Sequence, residues 1–384
     1  MIATLTKEEL LIIKLCRLTF SDDEKAEIRK LAAAITGWDN FTKLVNIHGI
    51  SALVYNNLEK QDHFDFVPEK NRFLLRKSRI LSMARNATMM HQLEGAISIA
   101  GVKTVLLKGA ALELMIYGNT GLRQMNDVDV LMTREDSLRS FRLLEKSGYE
   151  PLPVKSVFHR LIIDHIGKHL PSLIKGGLSI ELHHDLFDLA ASDLTRFFYE
   201  TSVERSAGSK LFIPEPCIFF LYLVRHLEKH EQSDGSQLRL YTDLVVMIAK
   251  YGDTIINDRL IEYSGIAGLN KALASKLKII REIFSVSYPD WMNEFVDANC
   301  AADANERFYY FLRNPRNHLN ADRKGNYQKT IKNIKGIHRK ALFVIGDLFP
   351  TIAFMKQRYK CKSGLKSLLY YPHRWGKLGW LVRR

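Results

Sequence analysis

The sequence predicts an α+β protein in which a small mixed β-sheet core lies between two helical units along the chain. Three observations predict this fold class. Apolar residues recur every three or four positions through the first 100 residues, which is typical of amphipathic helices. Short β-branched apolar runs follow at residues 102–107, 128–132 and 178–183, and helical spacing returns from residue 192 onward. A length of 384 residues with 46% hydrophobic content suits two or three such units.

The order of these elements predicts the unit boundaries. We expect a helical N-terminal unit over residues 1–100 and a sheet-containing core over residues 101–190. A helical C-terminal unit is expected over residues 191–348, and a basic, aromatic tail over residues 349–384.

Local signals mark particular elements. Ser21 and Glu24 have the spacing of a capping box, in which each side chain accepts a hydrogen bond from the other residue's backbone amide, so a helix is predicted to begin there. Pro68 is predicted to open a long helix that runs to the end of the N-terminal unit. Gly176 and Gly177 tolerate positive φ and separate two extended runs, which predicts a tight β-hairpin.

Composition limits the possible partners and location. The formal net charge of +14 favours an anionic partner, for which nucleotide, RNA, acidic glycan and membrane surface all stay open. No apolar run reaches the roughly 18 residues of a membrane-spanning helix, and the first helix lacks a signal-peptide layout, so a cytoplasmic location is expected. The four cysteines are widely separated, which predicts neither a thiolate metal site nor a disulfide framework.

Three carboxylates predict a divalent metal site. Asp127 and Asp129 alternate with Val128 at the start of an apolar strand, so both side chains are expected on one face. Glu181 lies in another strand and faces the pair if the two strands are neighbours. Carboxylates this close repel each other unless a cation lies between them, and oxygen ligands suit Mg²⁺ or Mn²⁺. Two such ions can align an attacking hydroxyl and stabilise a pyrophosphate leaving group, as nucleotidyl transfer requires.

A phosphate-binding turn is predicted beside these acids. Lys108, Gly109 and Ala110 connect a predicted strand to a predicted helix, where free backbone amides and the helix dipole attract phosphate. Gly109 allows the backbone a close approach, and Lys108 adds positive charge. Arg123 is a candidate for a second phosphate contact.

These segments together resemble the uncharacterised bacterial nucleotidyltransferase family of the polymerase-β-like superfamily. The resemblance implies a palm-like nucleotidyltransferase core in which Lys108 and Gly109 form the nucleotide-phosphate loop. It also implies that Asp127 and Asp129 bind metal and that Glu181 is the third acid. Two positions depart from the family pattern: relatives usually have aspartate at the third acid, and the wider superfamily has glycine or serine where this chain has Ala110.

Four further residues have weaker claims to the site. His183 is placed to orient Glu181, or to pack and hydrogen-bond within the sheet. His226 and His230 are one helical turn apart, which favours contact with nucleotide or acceptor over zinc binding, with ordinary helix surface as the alternative. Asp243 lies in an apolar helix, where an ion pair with Arg239 four residues earlier is preferred over a role as general base.

The predicted activity is metal-dependent transfer of a nucleoside monophosphate from a nucleoside triphosphate to an acceptor hydroxyl. Antibiotic, sugar, protein hydroxyl and RNA end all stay open as acceptors, because no motif in the helical units selects one. Two alternatives differ in class. One is a catalytically degenerate nucleotide-binding or scaffold protein, and the other is an enzyme that adds nucleotides to RNA ends.

Overall fold

Seven strands form one mixed sheet in the described part of the chain. The structure is a computed structural model, and it describes residues 5–118, 120–163, 167–188, 191–233, 235–315, 327–328, 330–332, 334–361 and 363–382. Helices flank this sheet, so the predicted α+β class with helical units on both sides is confirmed. The strands are β1 Thr104–Leu106, β2 Val128–Leu131, β3 Glu150–Pro151, β4 Leu173–Lys175, β5 Leu178–His183, β6 Val203–Glu204 and β7 Leu211–Ile213.

The strand order is β3-β4-β5-β2-β1-β7-β6, which places β5 and β2 at the centre of the sheet. β2 pairs antiparallel with β1 and parallel with β5. The parallel register sets Asp129 directly opposite Glu181. The predicted hairpin is confirmed between β4 and β5, where Gly176 and Gly177 both adopt positive φ.

The N-terminal helices are α1 Lys7–Lys14, α2 Asp22–Ala33, α3 Trp38–Ile47, α4 Ser51–Lys60 and α5 Glu69–Ala100, with a short 3₁₀ helix at Phe64–Phe66. The capping box of Ser21 and Glu24 is present at the start of α2, as predicted. Pro68 precedes α5, and Gly101 ends this helix in the left-handed conformation at φ 67°. The long α5 packs against both α4 and the sheet.

The helices within and after the sheet are α6 Lys108–Met115, α7 Arg134–Lys146, α8 Val157–Leu161, α9 Ser192–Glu200, α10 Pro216–Ser233, α11 Leu238–Tyr251, α12 Asp258–Ile266, α13 Asn270–Phe284, α14 Asp290–Asn299 and α15 Ala304–Arg313, with a 3₁₀ helix at Gly252–Thr254. The expectation of helical structure throughout residues 191–348 is wrong at β6 and β7. Both strands are too short to show a hydrophobic period, and β7 is fixed by parallel pairing with β1, which sequence spacing does not reveal.

The C-terminal helices are α16 Ile337–Leu348, α17 Ile352–Arg358, α18 Gly364–Leu368 and α19 Tyr371–Val382. Hydrogen bonds attach the predicted tail to α16: Arg374 Nε donates to the carbonyl oxygen of Asp347 at 2.8 Å, and Trp375 Nε1 donates to that of Leu348 at 2.8 Å. Residues 383 and 384 of the tail lie outside the described residues.

A continuous cluster of buried apolar side chains extends from Leu11 in α1 through the sheet to Leu312 in α15. A smaller cluster joins Ile162, Ile334 and Phe343 near α8 and α16. Within the described ranges, none of the helices has the length and apolar character needed to cross a membrane.

Candidate active site

The loop before β2 is fixed to the long helix α5. Ser82 Oγ donates to the carbonyl oxygen of Gly121 at 2.7 Å, and Asn86 Nδ2 donates to that of Arg123 at 2.8 Å. Gly121 has a φ of 71°, and a Cβ atom there would lie 2.5 Å from the Met83 backbone. Only glycine allows this close approach, so α5 sets the position from which the chain enters β2.

Lys108 occupies an unusual backbone conformation at the start of α6, directly after β1. Its φ is 42°, in the left-handed region that side-chain-bearing residues rarely adopt, and such conformations concentrate at functional sites. A Cβ atom at Gly109 would lie 2.9 Å from Arg123 Nη1, so a side chain there would require Arg123 to shift. Ala110 is buried in the core. The Ala110 side chain is therefore not available to a ligand.

Asp129, Glu181 and His183 form the acidic centre of the sheet. Each offers one ligand atom, and these atoms lie within 4.8 Å of one another. His183 Nε2 is 2.8 Å from Asp129 Oδ1 and 3.6 Å from Glu181 Oε2. Ser172 Oγ donates to Glu181 Oε1 at 2.8 Å, which leaves Oε2 directed toward the histidine.

Lys108 compensates the charge of this centre. Its Nζ donates to Asp129 Oδ1 at 2.7 Å, so this oxygen contacts both Lys108 and His183. Burial alone would raise the pKa of Asp129, but the Lys108 ammonium and the His183 hydrogen bond outweigh it and hold this pKa well below its usual range. Burial likewise opposes the charge of Lys108, yet Tyr222 and Asp129 raise its pKa. The acid and the ammonium are therefore both charged at neutral pH.

Asp127 stands one residue before β2 and stays in contact with solvent. The surrounding protein and then the Asp129 carboxylate raise its pKa. Asp127 is not one of the three residues whose ligand atoms converge, and His183 takes that third place among the described residues.

The donor set suits a divalent cation. Carboxylate oxygens from Asp129 and Glu181 are ligands for Mg²⁺ or Mn²⁺, and the imidazole of His183 adds a nitrogen that Mn²⁺ accepts more readily than Mg²⁺. Lys108 Nζ already contacts Asp129 Oδ1, which shows that a cationic group fits against this oxygen.

Arg123 is bound inside the protein. Its Nη2 lies 2.9 Å from Asp243 Oδ2, and its Nε lies 3.3 Å from both carboxylate oxygens. Tyr117 Oη donates to Asp243 Oδ1 at 3.2 Å. The predicted pair of Asp243 with Arg239 is therefore wrong, since α11 turns Asp243 into the core, where Arg123 lies. Arg239 Nη1 instead donates to the carbonyl oxygen of Gln124 at 2.8 Å.

Two cavities meet at Lys108 and His226. The first, called here the loop cavity, has a volume of about 450 Å³ and is bordered by Gly109, Arg123, Asp127, Asp129, His230 and Arg239. The second, called here the basic cavity, has a volume of about 320 Å³ and opens beside His169, His183 and Tyr222. Burial and the nearby Lys108 hold the pKa of His226 well below its ordinary value, so this ring is neutral at pH 7.

One family model matches this chain. It is described as an uncharacterised nucleotidyltransferase and covers residues 35–285, more than half of the sequence. The chain belongs to this nucleotidyltransferase family. The matched range contains all seven strands together with α6, α10 and α11, which carry the acids, Lys108 and the two cavity histidines. Neither a curated protein nor a solved structure matches the chain.

The family match confirms the predicted family and the prediction that this nucleotidyltransferase is a transferase enzyme. The sequence predicts only an orienting or packing role for His183, whereas in the structure its Nε2 lies 2.8 Å from Asp129 Oδ1. Strand alternation could have indicated this position, because it puts Glu181 and His183 on one face. The sequence pattern does not predict the basic cavity, since its residues come from segments that are distant in sequence.

Proposed function

We propose that this nucleotidyltransferase transfers a nucleoside monophosphate from a nucleoside triphosphate to an acceptor hydroxyl, with a divalent cation. The observation that carries the proposal is the pairing of Asp129 with Glu181 across β2 and β5, beside the strained start of α6. This arrangement sets cation ligands next to the N-terminal amides of α6 and Lys108. Those are the groups that a triphosphate and its counter-ion require.

Asp129 and Glu181, with His183 and the adjacent Asp127, are the residues that would hold the cation. When bound there, the cation would neutralise the triphosphate charge and stabilise the departing pyrophosphate. Lys108 would exchange its contact with Asp129 for a phosphate oxygen, since its side chain borders the loop cavity and carries its charge at neutral pH. Asp243 would hold Arg123 at the wall of the loop cavity, where Arg239 would supply a second positive charge.

The transfer joins the acceptor oxygen to the α-phosphorus and breaks the bond from that phosphorus to the bridging oxygen of pyrophosphate. His169 would take the proton that the hydroxyl loses. Its Nδ1 lies 2.9 Å from the carbonyl oxygen of Leu170, which favours the tautomer with Nε2 as proton acceptor. The same ring borders the basic cavity, and its Nδ1 is 3.8 Å from Glu181 Oε2.

Calorimetric titration of each nucleoside triphosphate with Mg²⁺ tests the proposal. Wild type should bind at least one of them, and the Asp127→Asn, Asp129→Asn double variant should lose at least about 100-fold in affinity, because charged cation ligands are removed while side-chain shape is kept. Asp297→Asn is the matched control, since Asp297 is an exposed carboxylate paired with Arg281 on the surface. Equal affinity in the wild type and the double variant would refute the metal-nucleotide site.

A further inference from the structure

The basic cavity reaches the acidic centre at His183 and meets the loop cavity at Lys108 and His226. Gly109 and Asp127 border the loop cavity, whereas His169 and His183 border the basic cavity. In-line transfer requires the acceptor oxygen to approach opposite the leaving pyrophosphate. If the triphosphate lies in the loop cavity, the adjoining basic cavity offers the acceptor a separate route to the acidic centre.

Positive charge dominates the lining of this cavity. Among the described residues that line it, six are Lys or Arg and two are Asp, so the described cations outnumber the described carboxylates. Two of these cations share one carboxylate oxygen: Lys168 Nζ lies 2.8 Å and Arg225 Nη2 lies 3.1 Å from Asp188 Oδ1. Asp188 is itself 67% exposed, which weakens its compensation of either charge.

The pKa of Lys168 reflects this excess of positive charge. Burial and then the neighbouring Arg225 lower its pKa to about 8, despite the opposing carboxylates of Asp188 and Asp185. Its side chain is mostly covered, with 24% exposed, and it borders the cavity together with Arg225. A further anion in this cavity would relieve the repulsion between the two cations, and would do so where water is partly excluded.

We propose that the basic cavity binds an acceptor that carries an anionic group, a carboxylate or a phosphate, which contacts Lys168 and Arg225. Lys335, which is exposed on the wall of the same cavity, adds a third cation. The acceptor hydroxyl then faces the acidic centre, and the transfer yields the nucleotidylated acceptor, pyrophosphate and one proton. This inference rests on the proposed function for the direction of attack, whereas the charge of the cavity is independent of it.

Three matched hydroxyl compounds provide the probes: glycerol, glycerol 3-phosphate and glycerate. Their dissociation constants are measured by ligand-observed NMR with the wild-type protein, both alone and with Mg²⁺ and a non-hydrolysable nucleoside triphosphate analogue. We expect glycerol 3-phosphate or glycerate to bind at least about tenfold more tightly than glycerol, because each carries a charge that the cavity can pair. The tighter of the two identifies phosphate or carboxylate as the recognised group.

Variants locate that binding. The Lys168→Gln, Arg225→Gln double variant should lose the preference for an anionic probe while it retains nucleotide affinity. Lys335→Glu, a change at an exposed position, should weaken the anionic probe without affecting glycerol. Arg196→Gln is the control, since Arg196 is an exposed cation on α9 that pairs with Asp193.

Equal affinity for the three probes, or a preference that the double variant retains, would overturn the inference. A different result would overturn the proposed function alone. No nucleoside triphosphate would then bind the wild type, while the anion preference and its dependence on Lys168 and Arg225 would still be observed.

Discussion

Two ion pairs each join a cation to a buried aspartate: Arg123 with Asp243, and Lys108 with Asp129. They differ in how many hydrogen bonds the carboxylate oxygens receive. Arg123 contacts both oxygens of Asp243, and Tyr117 donates to one of them. Lys108 reaches only Oδ1 of Asp129, which His183 also contacts. The first pair joins the loop before β2 to α11, and its Arg123 borders the loop cavity alone, whereas Lys108 of the second pair borders both cavities.

This difference separates a structural pair from an exchangeable one. A bidentate guanidinium pair is directional and is hard to replace without loss of packing. An ammonium is a compact point charge on a flexible stem. A metal cation can replace it beside a carboxylate, and a phosphate can replace the carboxylate beside it. We therefore expect changes at Asp243 to affect stability and changes at Lys108 to affect ligand binding.

The largest expected effect is on stability. Asp243→Ala should lower the free energy of unfolding by about 3–5 kcal/mol, because it leaves the Arg123 guanidinium buried and unpaired. Chemical denaturation measures this change. Asp297→Ala, which breaks the exposed pair with Arg281, should cost at most about 1 kcal/mol. Similar losses in the two variants would show that Arg123 finds another partner or water.

At Lys108 we expect a smaller effect on affinity, with opposite signs for Mn²⁺ and for nucleoside triphosphate. Lys108→Met should increase Mn²⁺ affinity without nucleotide by about tenfold, or about 1.4 kcal/mol, because the ammonium no longer competes at Asp129. The same variant should bind nucleoside triphosphate more weakly, since a phosphate contact is lost. Calorimetry measures both affinities. A decrease in both would instead show that Lys108 supports the geometry of the acidic centre.

The smallest effect is a pH dependence in the basic cavity. Lys168 has a pKa lowered to about 8 and faces Arg225, Asp185 and Asp188, so it is charged at pH 7 and largely neutral at pH 9. The affinity of wild type for glycerol 3-phosphate should fall by a few-fold across this interval, and the Lys168→Gln variant should show a flatter profile. Parallel profiles in both proteins would assign the titration to another group.

The elements with a strong local pattern were predictable from the sequence. The capping box at Ser21, the helix after Pro68 and the hairpin at Gly176 each depend on backbone preferences that act over a few residues. Strand alternation also predicted that Glu181 faces Asp127 and Asp129 if the two strands are neighbours, and the parallel register sets it opposite Asp129.

Contacts between distant segments were not predictable in the same way. Arg239 was the nearest cation to Asp243 along the helix, but tertiary packing supplies Arg123 from a loop 120 residues away in sequence. The two-residue strand β6 and three-residue β7 exist through pairing rather than through any period of their own. His183 falls between these cases, because its face was predictable and its distance to Asp129 depends on strand pairing.

Titration of Mn²⁺ monitored by electron paramagnetic resonance tests the central claim most directly, namely that the acids of β2 and β5 hold a divalent cation. The samples are the wild type, Asp129→Asn, Glu181→Gln and the control Asp297→Asn, each with and without nucleoside triphosphate. We predict that the wild type and the control bind Mn²⁺ and that both site variants lose at least about tenfold in affinity. Equal affinity in all four proteins, or no bound Mn²⁺ in wild type with nucleotide present, would contradict the claim.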